Sequence, residues 1–256
     1  MSQDNVAVTG QGSTLEIRFD RPEKRNALSR AMYARVVEAL EGADTDAAVR
    51  VVLLTGTGSY FTSGNDISDF QRRASGNEQR DGSPFLTALS SLKKPLVGAV
   101  NGPAIGVGTT MLAHCDLVIA AKSARFVMPF TSLGLVPEAA SSLLFPRLFG
   151  HQRASAMLLL GEPIDAETAR EWGFVNQVVE DAALMETAQA LAARLAALPP
   201  QAVRQTKELI KNGKTDVPGR IAEELTLFRE RLRSPEAGEA FAAFMEKRKP
   251  DFSAFH

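Results

Sequence analysis

Two short glycine-bearing segments, Tyr60–Phe70 and Asn101–Thr110, carry the residue types best suited to chemistry in this chain. Each follows a compact apolar run, at residues 50–55 and 95–100, and such a run bounded by turn residues is typical of a buried strand. Glycine just beyond a strand lets the backbone approach a ligand closely. Two such loops at neighbouring strand ends could each direct one backbone N–H at the same oxygen atom. The spacing therefore predicts an oxyanion hole, which stabilises an enolate or a tetrahedral intermediate.

The same glycines also fit a structural interpretation, in which tight turns pack a helix against a sheet. They do not fit a phosphate-binding loop. Gly102, Gly106 and Gly108 have the wrong spacing for a dinucleotide fingerprint, and no Lys-Ser or Lys-Thr pair follows them.

Glu138 is the acidic residue best placed to complete such a site. It follows Pro137 among apolar residues, just before a helix predicted to begin near Ser141. Two roles are open at this point. The carboxylate could cap the helix, or it could act as a general base, because apolar surroundings raise the pKa of a carboxyl group.

Composition limits the function classes. The chain has 256 residues, of which 45% are hydrophobic, enough for a large core. Lys and Arg number 29 against 30 Asp and Glu, so no nucleic-acid partner is expected. No apolar leader or membrane-spanning stretch is found, which favours a cytoplasmic location without membrane association. A single cysteine excludes an internal disulfide, and three His without paired spacing do not favour a metal site.

The remaining pattern predicts the elements that hold these loops. Up to about residue 121, short strands alternate with helices, which is typical of an α/β core with parallel strands. Ser29 and Asp165 are predicted helix N-caps. From Ser141 onward the pattern is helical, with apolar stripes at 184–198, 221–232 and 235–245. We expect an acyl-group-binding core at 1–197 and a C-terminal helical oligomerisation region at 198–256.

Five segments give the chain a resemblance to a known family. They are Arg21–Ser29, Phe61–Ile67, Val100–Gly108, Ser132–Glu138 and Phe244–Phe252. In this order they resemble the enoyl-CoA hydratase/isomerase (crotonase) superfamily over essentially the whole chain. The resemblance implies an α/β fold built as a spiral of ββα turns, with C-terminal helices that form a trimer or a dimer of trimers. It also implies an acyl-CoA thioester substrate and no cofactor, since coenzyme A is part of the substrate.

Carried over position by position, the resemblance implies that the backbone N–H groups of Ser63 and Val107 form the oxyanion hole. The stretch Lys24–Leu28 and the Asp66–Ile67 backbone would contact the adenine and pantetheine groups, and Lys249, with Arg248, could reach a phosphate of coenzyme A. The residues implied to bind substrate are Lys24, Asn26, Ala27, Leu28, Ser63, Gly64, Asn65, Asp66, Ile67, Gly106, Val107, Phe130 and Lys249.

The chain departs from the hydratases of this superfamily at both of their catalytic positions. Hydratases activate water with two glutamates, and those positions carry Thr110 and Phe130 here. Glu138 instead lies where the peroxisomal-type 3-enoyl-CoA isomerases have their single base. The resemblance therefore implies an isomerase that moves a 3-enoyl-CoA double bond to the 2-position through an enolate. Hydration, another enolate-forming reaction such as ring isomerisation, and a catalytically silent acyl-CoA-binding protein are the alternatives.

Overall fold

The computed structural model describes residues 5–66, 83–211 and 234–255. Its strands, in chain order, are β1 (Val6–Gln11), β2 (Thr14–Phe19), β3 (Val51–Gly56), β4 (Leu96–Val100), β5 (Ala104–Ile105), β6 (Leu117–Ala121), β7 (Arg125–Val127), β8 (Ile164–Asp165) and β9 (Gln177–Val179). The main sheet has the order β1-β2-β3-β4-β6-β9. Strand β1 is antiparallel to β2, and the other neighbours are parallel. The predicted α/β core with parallel strands is confirmed.

The helices are α1 (Arg30–Thr45), α2 (Pro84–Ser91), α3 (Val107–Thr110), α4 (Ser141–Phe149), α5 (His151–Ser155), α6 (Ala166–Glu171), α7 (Leu184–Ala196), α8 (Pro200–Lys211) and α9 (Pro235–Met245). Both predicted caps are confirmed. The Ser29 hydroxyl accepts the N–H of Met32, and the Asp165 carboxylate accepts the N–H of Thr168 at 2.8 Å. Each cap satisfies a backbone donor that the first turn of a helix leaves unpaired.

The central strands are buried on both faces, since every residue of β3 and β4 is buried. Successive side chains of a strand point to opposite faces. Val51 and Leu53 therefore pack under α7, whereas Val52 and Leu54 belong to the larger core that includes α1 and α2. Such continuous apolar runs are expected for parallel strands covered by helices on both sides. This packing holds the loops after β3 and β4 at one edge of the sheet.

The helical pattern predicted after Ser141 is found, but it is interrupted by two short strands that the sequence analysis missed. Strand β9 extends the main sheet beside β6, and β8 joins β5 and β7 in a second, three-stranded sheet. These strands have three and two residues, too few for an alternating pattern to distinguish them from loops.

The predicted C-terminal region contacts the core directly. The Lys207 amine on α8, which is almost fully buried, donates to the Asp116 carboxylate at 2.7 Å. The Arg50 guanidinium donates to the carbonyl oxygens of Ala196, Phe252 and Phe255. The stripe predicted at 221–232 lies outside the described residues, and the division at residue 198 stays a prediction. Along the described ranges, no helix is both long and apolar enough to cross a membrane.

Candidate active site

The two glycine loops meet at the carboxyl edge of the main sheet. The N–H of Ile105 donates to the Thr62 carbonyl at 3.0 Å, and the N–H of Phe61 donates to the Pro103 carbonyl at 3.1 Å. Thr62 and Ala104 thereby form an isolated parallel bridge. Because β3 and β4 are parallel neighbours, their ends lie at the same edge. The structure thus brings together the two loops that the sequence predicts to be adjacent.

Close contact between the loops explains two of their glycines. Gly64 has a φ of +89°, and a Cβ atom there would lie 2.8 Å from the Ile105 carbonyl oxygen. A Cβ atom at Gly108 would lie 2.5 Å from the Thr62 Cγ2 atom. A side chain at either position would therefore force the loops apart. These two glycines therefore allow the close approach of the two loops, and this approach sets the geometry of the site.

The two predicted oxyanion donors lie in these loops, and they differ in the hydrogen bonding of their N–H groups. Val107 is the first residue of α3, where a helix leaves N–H groups without an intrahelical acceptor. The Ser63 N–H donates to the Arg25 carbonyl oxygen at 2.9 Å. A substrate oxygen at Ser63 would have to share or replace that acceptor. The oxyanion hole itself stays a prediction.

Glu138 is half-buried, and its side chain faces α3. The Thr110 hydroxyl donates to Glu138 Oε1 at 3.1 Å. Burial raises the pKa of the Glu138 carboxyl above its usual range, and the hydrogen bond from Thr110 opposes part of that rise. A carboxyl of this kind is suited to accept a proton near neutral pH.

The helix-cap alternative for Glu138 is not what the structure shows. The N-cap residue of α4 is Ala140, and no side chain caps this helix. Glu138 contributes its backbone carbonyl instead, which accepts the N–H of Ser141 at 3.0 Å and the Ser141 hydroxyl at 2.6 Å. The carboxylate is therefore available for another role.

The backbone after Glu138 is in an unusual conformation. Ala139 and Ala140 have φ values of 54° and 55°, in the left-handed region that non-glycine residues rarely adopt. The His114 ring contacts this turn, with Nε2 lying 2.9 Å from the Ala139 carbonyl oxygen. A carbonyl oxygen can only accept, so Nε2 carries the proton. Neither the left-handed turn nor the His114 contact was predicted from the sequence.

The segment predicted to bind coenzyme A pairs with the first glycine loop. The Leu28 N–H donates to the Gly64 carbonyl at 2.8 Å, and the Asp66 N–H donates to the Leu28 carbonyl at 3.0 Å. The Asp66 carboxylate also forms an ion pair with Arg21 at 2.6 Å, and Asn65 accepts the Tyr33 hydroxyl at 2.6 Å. The two predicted substrate-binding segments therefore form one surface.

Asn26 has a structural role that the sequence did not reveal. Its side chain is fully buried, and its amide nitrogen donates to the carbonyls of Thr57, Tyr60 and Phe61. The Asn26 backbone is also paired, since its N–H donates to the Arg21 carbonyl at 2.9 Å and its carbonyl accepts the Thr62 hydroxyl at 2.7 Å.

The other predicted contacts are distributed around this surface. Lys24 is exposed beside the paired segment, Phe130 is buried, and Lys249 is exposed in the tail after α9. The neighbouring Arg248 is paired with Glu239 at 2.5 Å. Ile67 lies outside the described residues. Substrate binding by all of these residues stays a prediction.

Thr62 is a residue that the sequence analysis missed. Its hydroxyl donates to the Asn26 carbonyl at 2.7 Å and accepts the Gly64 N–H at 3.0 Å. It thus connects the two loops and the Lys24–Leu28 segment. A single threonine between an aromatic residue and a serine gives no periodic signal, so only the three-dimensional contacts identify it.

Comparison with known proteins establishes the family. The profile of the enoyl-CoA hydratase/isomerase family matches residues 9–254. The chain belongs to the enoyl-CoA hydratase/isomerase family, and its fold is the crotonase fold predicted from the sequence. It is accordingly an enzyme of a family that acts on acyl-CoA thioesters.

Individual relatives differ in the reaction that their names state. The chain is 38% identical to the 1,2-epoxyphenylacetyl-CoA isomerase of Escherichia coli, over 93% of this chain and 94% of that protein. It is 37% identical to the enoyl-CoA delta isomerase 2 of Rattus norvegicus, over 96% of this chain but only 64% of the longer rat protein. The enoyl-CoA hydratase structure from Bacillus anthracis superposes with a TM-score of 0.89 at 32% identity, covering 97% of this chain and 98% of that one.

Proposed function

We propose that this protein is an acyl-CoA isomerase that moves the double bond of a 3-enoyl-CoA to the 2-position. The observation that carries the proposal is the position of Glu138. Its half-buried carboxylate accepts a hydrogen bond from Thr110, on the helix that begins at Val107. Thr110 and Phe130 occupy the two positions where the hydratases of the family have their glutamates. One carboxylate is therefore left to move a proton.

The reaction needs one base and one oxyanion site. Glu138 removes a proton from C2, and the electron pair of that C–H bond moves into the thioester to form an enolate. The N–H groups of Val107 and Ser63 stabilise the enolate oxygen. Glu138 then returns the proton at C4, so the double bond lies between C2 and C3. No water is consumed, and no cofactor is required beyond the coenzyme A that the substrate carries.

Phe130 supports isomerisation over hydration. Its ring is buried, with 6% of its surface exposed, where a hydratase would hold water with a second carboxylate. An apolar ring there excludes water and protects the enolate from side reactions.

A second candidate is a different enolate-forming reaction at the same site. The identity to the epoxyphenylacetyl-CoA isomerase is as high as that to the delta isomerase. That similarity favours an arylacetyl thioester as the alternative substrate class, with Glu138 in the same role. Assembly as a trimer or a dimer of trimers and a cytoplasmic location also remain proposals.

The experiment is a pair of assays on the purified protein with acyl chains of equal length. With 3-hexenoyl-CoA we expect the ultraviolet absorbance of the conjugated 2-enoyl thioester to rise. With 2-hexenoyl-CoA we expect only slow loss of that absorbance. Hydration as fast as isomerisation would overturn the assignment in favour of a hydratase. Binding of both thioesters without either reaction would identify a silent acyl-CoA-binding protein.

Glu138→Gln is the matched variant for the base. We expect it to abolish isomerisation and to leave acyl-CoA binding, measured by calorimetry, close to that of the wild type. Activity within tenfold of the wild type would remove Glu138 from the mechanism.

A further inference from the structure

Two side chains of one helical segment contact the proposed base and the residue after it. Thr110 and His114 lie four residues apart on a continuous helical segment, formed by α3 and the 3₁₀ turn Met111–His114. Thr110 donates to the Glu138 carboxylate at 3.1 Å, and His114 donates to the Ala139 carbonyl at 2.9 Å. The consecutive residues Glu138 and Ala139 are therefore both bound by the segment from Val107 to His114.

The same element begins with the proposed oxyanion donor. Val107 is the first residue of α3, three positions before Thr110. A helix is rigid over so short a length. The contacts from Thr110 and His114 therefore connect the base to the helical segment that carries the donor at Val107.

The turn at Ala139 and Ala140 has a strained backbone conformation that contacts from its surroundings must stabilise. Ala139 and Ala140 both have left-handed backbone conformations, each of which is unfavourable for an alanine. Such backbone conformations persist only where the surroundings impose them, and they are frequent at functional sites. The hydrogen bond from His114 falls on the first of these two residues.

From these contacts we infer that Thr110 and His114 are positioning residues for the base, and that Thr110 determines which carboxylate oxygen accepts the proton. The inference rests on the proposed function. The Thr110 hydroxyl donates to Oε1 of Glu138, and the described residues give Oε2 no hydrogen-bond partner. Oε2 therefore takes the proton from C2 as the C–H bond breaks, and it releases that proton to C4. Thr110 keeps its own proton throughout and donates to Oε1 in both states.

The Thr110 bond also favours the ionised base. A hydrogen bond to a carboxylate stabilises the charged form and opposes the effect of burial. Removing it should make the carboxyl group harder to ionise and less well oriented. Both effects lower the rate of proton removal without changing how coenzyme A is bound.

The test compares Thr110→Val, which keeps the shape but removes the hydroxyl, with Thr110→Ser, which keeps the hydroxyl. With 3-hexenoyl-CoA we expect Thr110→Val to lower kcat roughly tenfold to hundredfold, the range for losing a hydrogen bond to a charged group. KM should stay close to the wild-type value. In Thr110→Val the acid limb of the kcat–pH profile should move to higher pH. Thr110→Ser should restore both kcat and the position of the acid limb.

His114 gives an independent variant pair. His114→Leu should lower kcat, and His114→Gln, whose amide can donate to the Ala139 carbonyl, should recover most of it. Thr55→Val is the matched control, because it also removes a buried hydroxyl that donates to a carbonyl, that of Ala99, but lies within β3. We expect Thr55→Val to leave kcat and its pH profile unchanged, even if it lowers the melting temperature.

The outcomes separate this inference from the proposed function. Solvent exchange of the C2 protons of phenylacetyl-CoA in D₂O reports the base alone, since this thioester has no double bond to move. Full activity of Glu138→Gln in both assays would refute the proposed function. Loss of activity in Glu138→Gln, combined with an unchanged kcat and pH profile in Thr110→Val, would refute only the positioning role of Thr110.

Discussion

The backbone N–H of Ser63 donates to the Arg25 carbonyl oxygen at 2.9 Å, so one of the two proposed oxyanion donors already has an acceptor. A neutral thioester oxygen competes poorly with an amide carbonyl, whereas an enolate oxygen is a stronger acceptor because it is charged. The Ser63 N–H would therefore turn to the substrate mainly as negative charge develops. An interaction that strengthens in the transition state increases the rate rather than ground-state binding.

We predict that the Ser63 amide responds to the charge of the bound ligand. In ¹H–¹⁵N spectra its proton should shift downfield much further with acetoacetyl-CoA, which can bind as an enolate, than with saturated hexanoyl-CoA. The Gly64 N–H is the control in the same loop, because it donates to the Thr62 hydroxyl at 3.0 Å. Equal Ser63 shifts with both ligands would mean that this N–H does not contact the thioester oxygen.

The other donor can be removed by mutation. Val107→Pro deletes the N–H at the first position of α3, where proline is well tolerated in helices. Loss of one oxyanion donor should lower kcat roughly hundredfold to thousandfold. Val107→Ala keeps the N–H and should retain most of the rate. A folded Val107→Pro enzyme, checked by circular dichroism, that kept the rate of Val107→Ala would contradict the two-loop site.

The sequence predicts the parts of this site that depend on local patterns. Apolar runs identify β3 and β4, and the glycines after them identify the loops that meet at Thr62 and Ala104. What it does not predict are contacts between distant residues that have no periodic signal. The His114 ring meets the Ala139 carbonyl across 25 residues, and the Asn26 amide meets the Tyr60 carbonyl across 34. Such pairs follow from the packing of whole elements, which a single sequence does not specify.

The raised pKa of Glu138 predicts a particular pH dependence of activity and stability. The base must be ionised, so kcat should fall as pH decreases through the pKa of Glu138, above the usual value of 4.5. The raised pKa has the opposite effect on stability, which it increases at low pH. A carboxyl whose pKa is raised in the folded state favours folding at low pH, and that contribution is lost as pH rises through the folded pKa.

Glu138→Gln lacks this titration. Its melting temperature should therefore exceed that of the wild type at neutral pH, and the difference should shrink as pH falls toward 4.5. Differential scanning calorimetry across this range measures the difference, and the shared titration of all other groups cancels. A difference that is constant with pH would show that the carboxyl has the same pKa in the folded and unfolded states.

The buried ion pair between Lys207 and Asp116 should be a main anchor of α8 on the core. The lysine side chain is 6% exposed and the aspartate 25%, and the pair is 2.7 Å apart. Asp116→Asn leaves the buried ammonium with the Lys94 carbonyl but without a charged partner, and should cost about 3 kcal/mol of unfolding free energy in urea. Adding Lys207→Met should recover part of this loss. Glu180→Gln, which breaks the exposed pair with Lys122, is the control and should cost under about 1 kcal/mol.

The contact between the two loops can be tested by creating a clash and then relieving it. In Gly108→Ala the new methyl group would lie 2.5 Å from Thr62 Cγ2 and 3.2 Å from the Thr62 carbonyl oxygen. The loops must separate to accommodate it, which displaces the Val107 N–H from the Ser63 N–H. We expect kcat to fall roughly hundredfold, because misplacement by about 1 Å can cost that much.

Thr62→Ser should rescue Gly108→Ala in part. It removes the Cγ2 methyl but keeps the hydroxyl that donates to the Asn26 carbonyl and accepts the Gly64 N–H. The double variant should regain at least tenfold in kcat over Gly108→Ala, which a double-mutant cycle reports as a coupling between the two sites. The control is Gly42→Ala in α1, where an added Cβ meets nothing within 4 Å. Additive losses in the cycle would mean that the two loops do not act as one unit.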